Sequence, residues 1–449
     1  MQVEEKGYLR KFFENLDWYL IAALFYLLGI GLIAVYSATL HYGNPAKYLF
    51  TQGMAVFIGL AGMIIFSSFN YQYFKSLLVS SYVVSLGLLV SVLVVGRSIR
   101  GTGRWINFHF FAFQPIEVTK IIFIIVLAGY LDNVWKEVKR VSTLGLALML
   151  LFGHIILILL QPDFGSSLVY FPITIVLLFV AGVSPVYLLG ISLFGGLAAG
   201  IPLMATFFKL QPDLLSVSPA LAYFVSASRG GMHLLIILFI VTAAIFLLWW
   251  LLIKLKFEIP FIYPLALSLI IIFGSFSSLG VQKTMKEYQR KRLIVFINPE
   301  VDSLGSGYNI IQSKITIGSG MMFGKGLFSG TQAQLGFLPE QHTDFIFPVI
   351  AEETGFVFTE LTIIAYFLLI WRAMEVARES RDRYGSLLAT GIAAMFAFYA
   401  FINIGMVMGI TPATGLPLPL ISYGGSSMVS SLWALGILFS IHIRRFTHT

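Results

Sequence analysis

Residues 18–38, WYLIAALFYLLGIGLIAVYSA, run for twenty-one positions without a charged side chain. At about 1.5 Å per residue a helix of that length crosses a hydrocarbon core of ~30 Å. The stretch exceeds the ~7–15-residue apolar centre of a cleavable signal, so it is expected to remain as a first span. The pattern recurs near 50–68, 77–96, 117–133, 143–160, 167–183, 186–207, 232–253, 259–279, 349–371, 387–409 and 427–443. The expected architecture is therefore an all-α integral membrane protein, a bundle of about twelve spans.

Composition agrees. Of 449 residues, 58% are hydrophobic and 11% charged, and the mean hydropathy is +0.88. Soluble domains carry about a quarter charged residues, so most of this surface is built for lipid. The 41 phenylalanines suit lipid-facing helix sides and interfacial belts. Cysteine is absent, which excludes disulfides, thiolate metal sites and a cysteine nucleophile.

The net charge of +8 could suggest nucleic acid, but its distribution argues for topology instead. With the amino terminus inside, Lys6, Arg10 and Lys11 are cytoplasmic, followed by Lys75, then Lys136, Lys139 and Arg140. Lys254 and Lys256, then Arg372, Arg378, Arg381 and Arg383, and finally Arg444 and Arg445, continue the series. Basic inner connections are what the positive-inside rule requires. Both termini are expected in the cytoplasm. Those connections are too short for a nucleotide-binding domain, and no G-x-x-x-x-G-K-[ST] loop is present.

Three segments then fall outside: 97–116, 280–348 and 410–426. The region 208–280 holds two of the spans, 232–253 and 259–279. The large loop 280–348 keeps apolar pieces such as Ile310–Ile317, which a bare linker would lack, so it is expected to fold.

Chemistry is sought among ionisable groups at that outer face, because charge near hydrocarbon is costly unless paired or used. The candidates are Arg104, Glu117, Lys120, Asp163, Asp302, Lys314, Lys325, His342, Asp344, Glu352 and Glu353. Glu117 and Lys120 share a helix face and could simply pair. Asp163 could simply cap a helix. Asp344 lies in Glu340-Gln341-His342-Thr343-Asp344-Phe345-Ile346-Phe347, where the large loop re-enters the membrane. Its apolar neighbours would desolvate it in part and make it a better proton acceptor, with capping of the next helix as the competing role. In Gly415-Leu416-Pro417-Leu418-Pro419-Leu420-Ile421-Ser422-Tyr423-Gly424-Gly425-Ser426-Ser427 the prolines forbid regular helix. Irregular backbone at membrane depth must be buried or line a cavity.

These segments resemble the SEDS family (shape, elongation, division and sporulation), the RodA/FtsW type. The resemblance rests on Gly103-Arg104-Trp105, Phe113-Gln114-Pro115-Ile116-Glu117-Val118-Thr119-Lys120, Gln161-Pro162-Asp163-Phe164-Gly165 and Asn298-Pro299-Glu300 with Asp302. It continues through Gly307-Tyr308-Asn309-Ile310-Ile311-Gln312-Ser313-Lys314, then 338–347 and 415–427, all in order. Gly324-Lys325-Gly326-Leu327 with Gly330-Thr331-Gln332 is more similar to the RodA branch.

The resemblance implies a peptidoglycan glycosyltransferase that polymerises lipid II at the outer face of the bacterial cytoplasmic membrane during cell elongation. It puts the family's catalytic aspartate on Asp344. It implies substrate-binding roles for Arg104, Trp105, Gln114, Glu117, Lys120, Gln161, Asp163, Lys314, Lys325, His342 and Ser422. No metal-ligand set is assigned, although a divalent cation, Mg or Mn, could assist. Implied partners are lipid II, undecaprenyl-pyrophosphate-linked glycan, a class B penicillin-binding protein and other elongation-complex membrane proteins. A lipid II flippase or a non-catalytic scaffold are the alternatives. Two departures stand out: Ile116 occupies a usual serine position, and the two spans of region 208–280, an apparent insertion, exceed the family's common ten.

Overall fold

The computed structural model describes residues 17–99, 102–108, 111–161, 163–209, 212–284, 292, 294–302 and 306–445. Lys6, Arg10, Lys11, Pro162, Lys286, Arg290 and Lys291 lie outside the described residues. The chain forms two compact units, one of residues 1–183 with 309–449 and one of residues 184–308. The expected insertion 208–280 falls within the second.

In the first unit the long helices are α1 (Trp18–Thr39), α2 (Pro45–Ser68), α3 (Leu78–Val95), α4 (Pro115–Asn133), α5 (Val141–Leu160) and α6 (Phe164–Ala181). The second unit adds α7 (Pro185–Lys209), α8 (Met232–Lys254) and α9 (Ile262–Thr284). The first then resumes with α10 (Ile346–Glu379), α11 (Arg383–Met408) and α12 (Gly425–Arg444). Eleven of these described helices are long and apolar enough to cross a membrane. The twelfth expected span, α4, carries Glu117, Lys120 and Asp132 over its 19 residues. It is nonetheless almost wholly buried, Lys120 included. A charged helix is acceptable there because protein, not lipid, surrounds it.

Local sequence sets the helix ends. Asp17, Asn44, Asp163 and Asp382 cap α1, α2, α6 and α11 by accepting backbone N–H bonds. Pro45 and Pro115 occupy first-turn positions, where no N–H is needed. Helices of the first unit approach closely at small residues. A Cβ on Gly31 would stand 2.7 Å from the Ile421 Cα, and one on Gly436 would meet the Met63 carbonyl at 2.6 Å.

Two features depart from the sequence reading. A three-stranded antiparallel sheet, β1 (Arg97–Ile99), β2 (Thr102–Phe108) and β3 (Phe111–Phe113), fills the connection between α3 and α4. Second, α10 is longer than the expected span 349–371 and breaks at Gly355, whose φ of 73° and ψ of −175° are not helical. Residues 346–354 form a short buried piece before the membrane-length remainder.

Alternation of the helices gives the first unit two ends. At one, the basic connections gather. Arg372 Nε lies 2.8 Å from Asp17 Oδ2, Lys75 pairs with Asp132, and Arg445 with Glu379. Arg383 donates to the Ala181 carbonyl and Arg444 Nη1 to that of Ser67 at 3.0 Å, satisfying carbonyls at helix C-termini. Tyr71 donates to Asp382 at 2.9 Å; burial and that carboxylate push its hydroxyl above the usual tyrosine range. The other end holds the polar motifs. In the second unit, α7 and α9 pack where Gly274 meets Leu197, and α8 packs Leu234 and Leu238 against Ile271, Ile272 and Leu279.

Candidate functional site

Asp344 stands on the loop before α10 and is half-buried. The N-cap position of α10 falls on Phe345, so Asp344 is one residue short of the capping position. Its loop is clamped through backbone carbonyls. Asn403 Nδ2, on α11, donates to the Asp344 carbonyl at 2.9 Å and to the Leu416 carbonyl at 2.7 Å. Ser422 Oγ donates to the Thr343 carbonyl at 2.6 Å and accepts from the Leu418 N–H at 2.8 Å. Tyr423 N–H donates to the His342 carbonyl at 2.9 Å. The proline-rich segment therefore serves as a bed for 342–344, held in turn by Gln52, which bonds Ser422 O at 3.0 Å and Gly424 N at 3.1 Å. Leu420 takes a φ of 67° to make this turn.

One helical turn before Asn403 on α11 is Tyr399. Residues four apart share a helix face, with Cβ atoms about 5–6 Å apart. The Lys120 ammonium donates to the Tyr399 hydroxyl and lies 2.8 Å from Glu117 Oε1, with both charged side chains buried. This pair thus sits about a turn of helix from the Asp344 loop. Ile116, at the position where the resemblance leads one to expect serine, is 2% exposed, so its side chain faces protein.

Gln114 donates its N–H to Ser426 Oγ at 2.9 Å and its amide to Asp163 Oδ2 at 3.5 Å. Asp163 caps α6 by accepting from Ser166 N at 3.2 Å and Ser166 Oγ at 3.0 Å. Gln161 bonds the Leu89 carbonyl at 2.9 Å. The rings of Tyr42, Tyr48 and Tyr423 surround His342 at centroid distances of 5.3–5.5 Å. Trp105 is half-buried on β2 opposite Arg97. Arg104 is also on β2, but its side chain, like that of Asp302, lies outside the described residues. Lys314 is exposed and lies along Gly409 at the end of α11.

Lys325 belongs to a separate cluster at the broken helix. Its Nζ donates to Glu352 Oε1 at 2.7 Å and Thr331 Oγ1 at 2.7 Å. Glu352 also accepts from Thr331 Oγ1, Gln332 N and Ala333 N at 3.0–3.1 Å. Glu353 accepts from Ser37. The break exposes backbone groups that lipid could not satisfy, and the loop satisfies them. Lys325 N and Gly326 N donate to the Glu352 and Glu353 carbonyls at 2.9 and 3.0 Å, while Phe356 N and Val357 N donate to Met321 O and Met322 O at 2.8 and 3.2 Å.

Tyr399, Asn403 and the break at Gly355 were not singled out from sequence. A lone asparagine in the apolar run 387–409 was the available signal. Among the described residues no group of three or more His, Asp or Glu could hold a metal ion.

The described site thus has one half-buried carboxylate on a clamped loop, a buried ion pair a turn away, and an exposed lysine at the same end. A model of the FtsW/RodA/SpoVE cell cycle proteins matches residues 18–219 and 220–446. The peptidoglycan glycosyltransferase RodA of Treponema pallidum is 35% identical, covering 96% of this chain and 98% of that protein. The peptidoglycan glycosyltransferase MrdB of Escherichia coli K12 is 31% identical, covering 96% and 94%. A solved structure concerned with coordination of polymerization and crosslinking by a peptidoglycan synthase complex superposes with a TM-score of 0.65. It is 26% identical and the match covers 96% of this chain and 99% of that one. By match along nearly its whole length, this multi-pass membrane protein belongs to the FtsW/RodA/SpoVE family of cell cycle proteins.

Proposed function

We propose that the chain is a peptidoglycan glycosyltransferase that polymerises lipid II, with Asp344 as general base. The observation that carries the reading is the seating of Asp344: its loop is pinned by Asn403 and Ser422 while its side chain stays half-buried rather than enclosed. A base must reach its proton with a fixed direction, and a loop pinned through its own carbonyls fixes where the carboxylate stands. The named activity of the Treponema and Escherichia relatives supports it.

The acceptor's sugar hydroxyl attacks the anomeric carbon of the donor, and its proton passes to the Asp344 carboxylate. The bond from that carbon to the pyrophosphate oxygen breaks, and its electron pair leaves with the polyprenyl pyrophosphate. Cations aimed at the departing charge lower the barrier. Lys314 suits this better than Lys120 or Lys325, whose ammonium groups are bound to carboxylates; Arg104 is a second candidate. The buried Glu117–Lys120 pair positions α4 against α11 beneath the loop. The pyrophosphate is already an activated leaving group, so no nucleotide is needed.

The basic end faces the cytoplasm in this reading, and the reaction occurs at the outer face of the cytoplasmic membrane. A class B penicillin-binding transpeptidase is the partner, because uncrosslinked strands make no wall. The solved synthase complex supports the pairing of polymerization with crosslinking. Purified protein in liposomes, given labelled lipid II and no energy source, is expected to lengthen it into glycan strands. Movement of lipid II between leaflets without any polymer would establish the flippase reading instead.

A further inference from the structure

The two ends of the first unit supply a ruler for depth. Asp17 and Arg372 pair at the basic end, and Ser37 bonds Glu353 at the other. Ser37 is twenty residues beyond Asp17 on α1, about 30 Å of helix. That length matches the ~30 Å of a hydrocarbon core, and the Ser37 bond carries the same level across to Glu353 on α10. The break at Gly355 interrupts the regular rise of α10, so its own length is counted from Phe356. The Arg372 and Glu353 levels therefore bracket the apolar layer.

Phe356 is sixteen residues from Arg372, about 24 Å, and so falls inside that layer. The carbonyls of Met321 and Met322 accept from Phe356 and Val357, which brings the turn to the same depth. Its side chains suit that depth: Met321, Met322 and Phe323 are 81%, 55% and 79% exposed. In water such a cluster would be costly, about 25 cal/mol for each Å² left wet. The backbone also meets the requirement of hydrocarbon, since the groups freed at Gly355 and those of the turn bond each other.

We propose that the Met321–Phe323 turn, part of a loop otherwise outside the membrane, is immersed in the acyl region of the bilayer leaflet at the polar end. It forms a lipid-dipping plug that completes the broken helix α10. The plug ties the Lys325–Glu352 pair to the lipid phase, since Lys325 follows the turn by two residues and bonds the same break.

The absence of cysteine allows nitroxide labelling at single introduced sites. Met322→Cys and Phe323→Cys would be labelled in the full chain, in bilayer nanodiscs of phosphatidylethanolamine and phosphatidylglycerol. Power saturation would compare collision with oxygen, which favours lipid, and with a nickel chelate, which favours water. Phe57→Cys, exposed at the middle of α2, gives the lipid reference, and Lys47→Cys in its first turn gives the water reference. Both turn labels are expected to favour oxygen, with nickel accessibility several-fold below that at position 47. Nickel accessibility equal to position 47 at both sites would overturn the proposal, as would screening from both agents, which would mean a protein cover.

Discussion

The two ends of the first unit are both rich in charge and use it in opposite ways. At the basic end, arginines finish helices: Arg383 and Arg444 take up C-terminal carbonyls, and Arg445 meets Glu379 at the rim. Helices there are regular to their last turn. At the other end carboxylates are drawn inside, and backbone is broken and rebuilt around them, as at Gly355, Leu420 and the Asp344 loop. Apart from the buried Asp17, charge at the first end sits at helix ends and is expected to tolerate change. Charge at the second holds rebuilt backbone and is expected not to.

The sharpest way to break this contrast is a pair of glycines. Gly355→Ala puts a Cβ into the Gly324 amide at a φ that side chains avoid. The expected cost is at least about 3 kcal/mol, seen as loss of folded protein in detergent. Gly145→Ala, in the first turns of α5 with nothing within 4 Å of its Cβ, is expected to be neutral or stabilising by up to about 1 kcal/mol. Equal tolerance at both positions would remove the contrast.

A second pair compares carboxylates. Glu352→Gln discharges a fully buried partner of Lys325 that also holds two backbone N–H groups. Thermal unfolding should report about 3 kcal/mol, in line with buried pairs that lose one member. Glu379→Gln, at a 42% exposed side chain, should report no more than about 1 kcal/mol.

Asn403→Leu sharpens the comparison within the site. It leaves the Asp344 and Leu416 carbonyls without their donor, at about 1–3 kcal/mol. Because it unpins the loop, polymerisation should fall more than stability predicts, measured as rate per folded molecule. The smallest effect belongs to the rim. Arg378→Ala, 83% exposed and 3.8 Å from Glu375, should stay within about 0.5 kcal/mol.

What could be read from sequence follows from how far each interaction reaches. The spans were legible because apolar length is a local property. So were the Glu117–Lys120 pair, three residues apart, and the Asp163 cap, closed by Ser166. The prolines at 417 and 419 announced irregular backbone, though not that Ser422 would spend its hydroxyl on Thr343 and Leu418. Partners distant in sequence were not legible. Tyr399 completes the Lys120 site from 279 positions away, and Asn403 reaches Asp344 from 59. Gly355 looked like any glycine of a membrane helix, since glycine is common there. Only the Met321–Gly326 segment folded against it reveals the break. The small sheet went unnoticed because its strands are short and lie between two long spans.

The most direct test of the central claim compares wild type and Asp344→Asn in polymerisation of purified lipid II, with folded protein counted by its melting profile. Loss of a general base predicts a rate lower by about 10²- to 10⁴-fold with melting unchanged. Polymer made by Asp344→Asn at the wild-type rate would contradict the account.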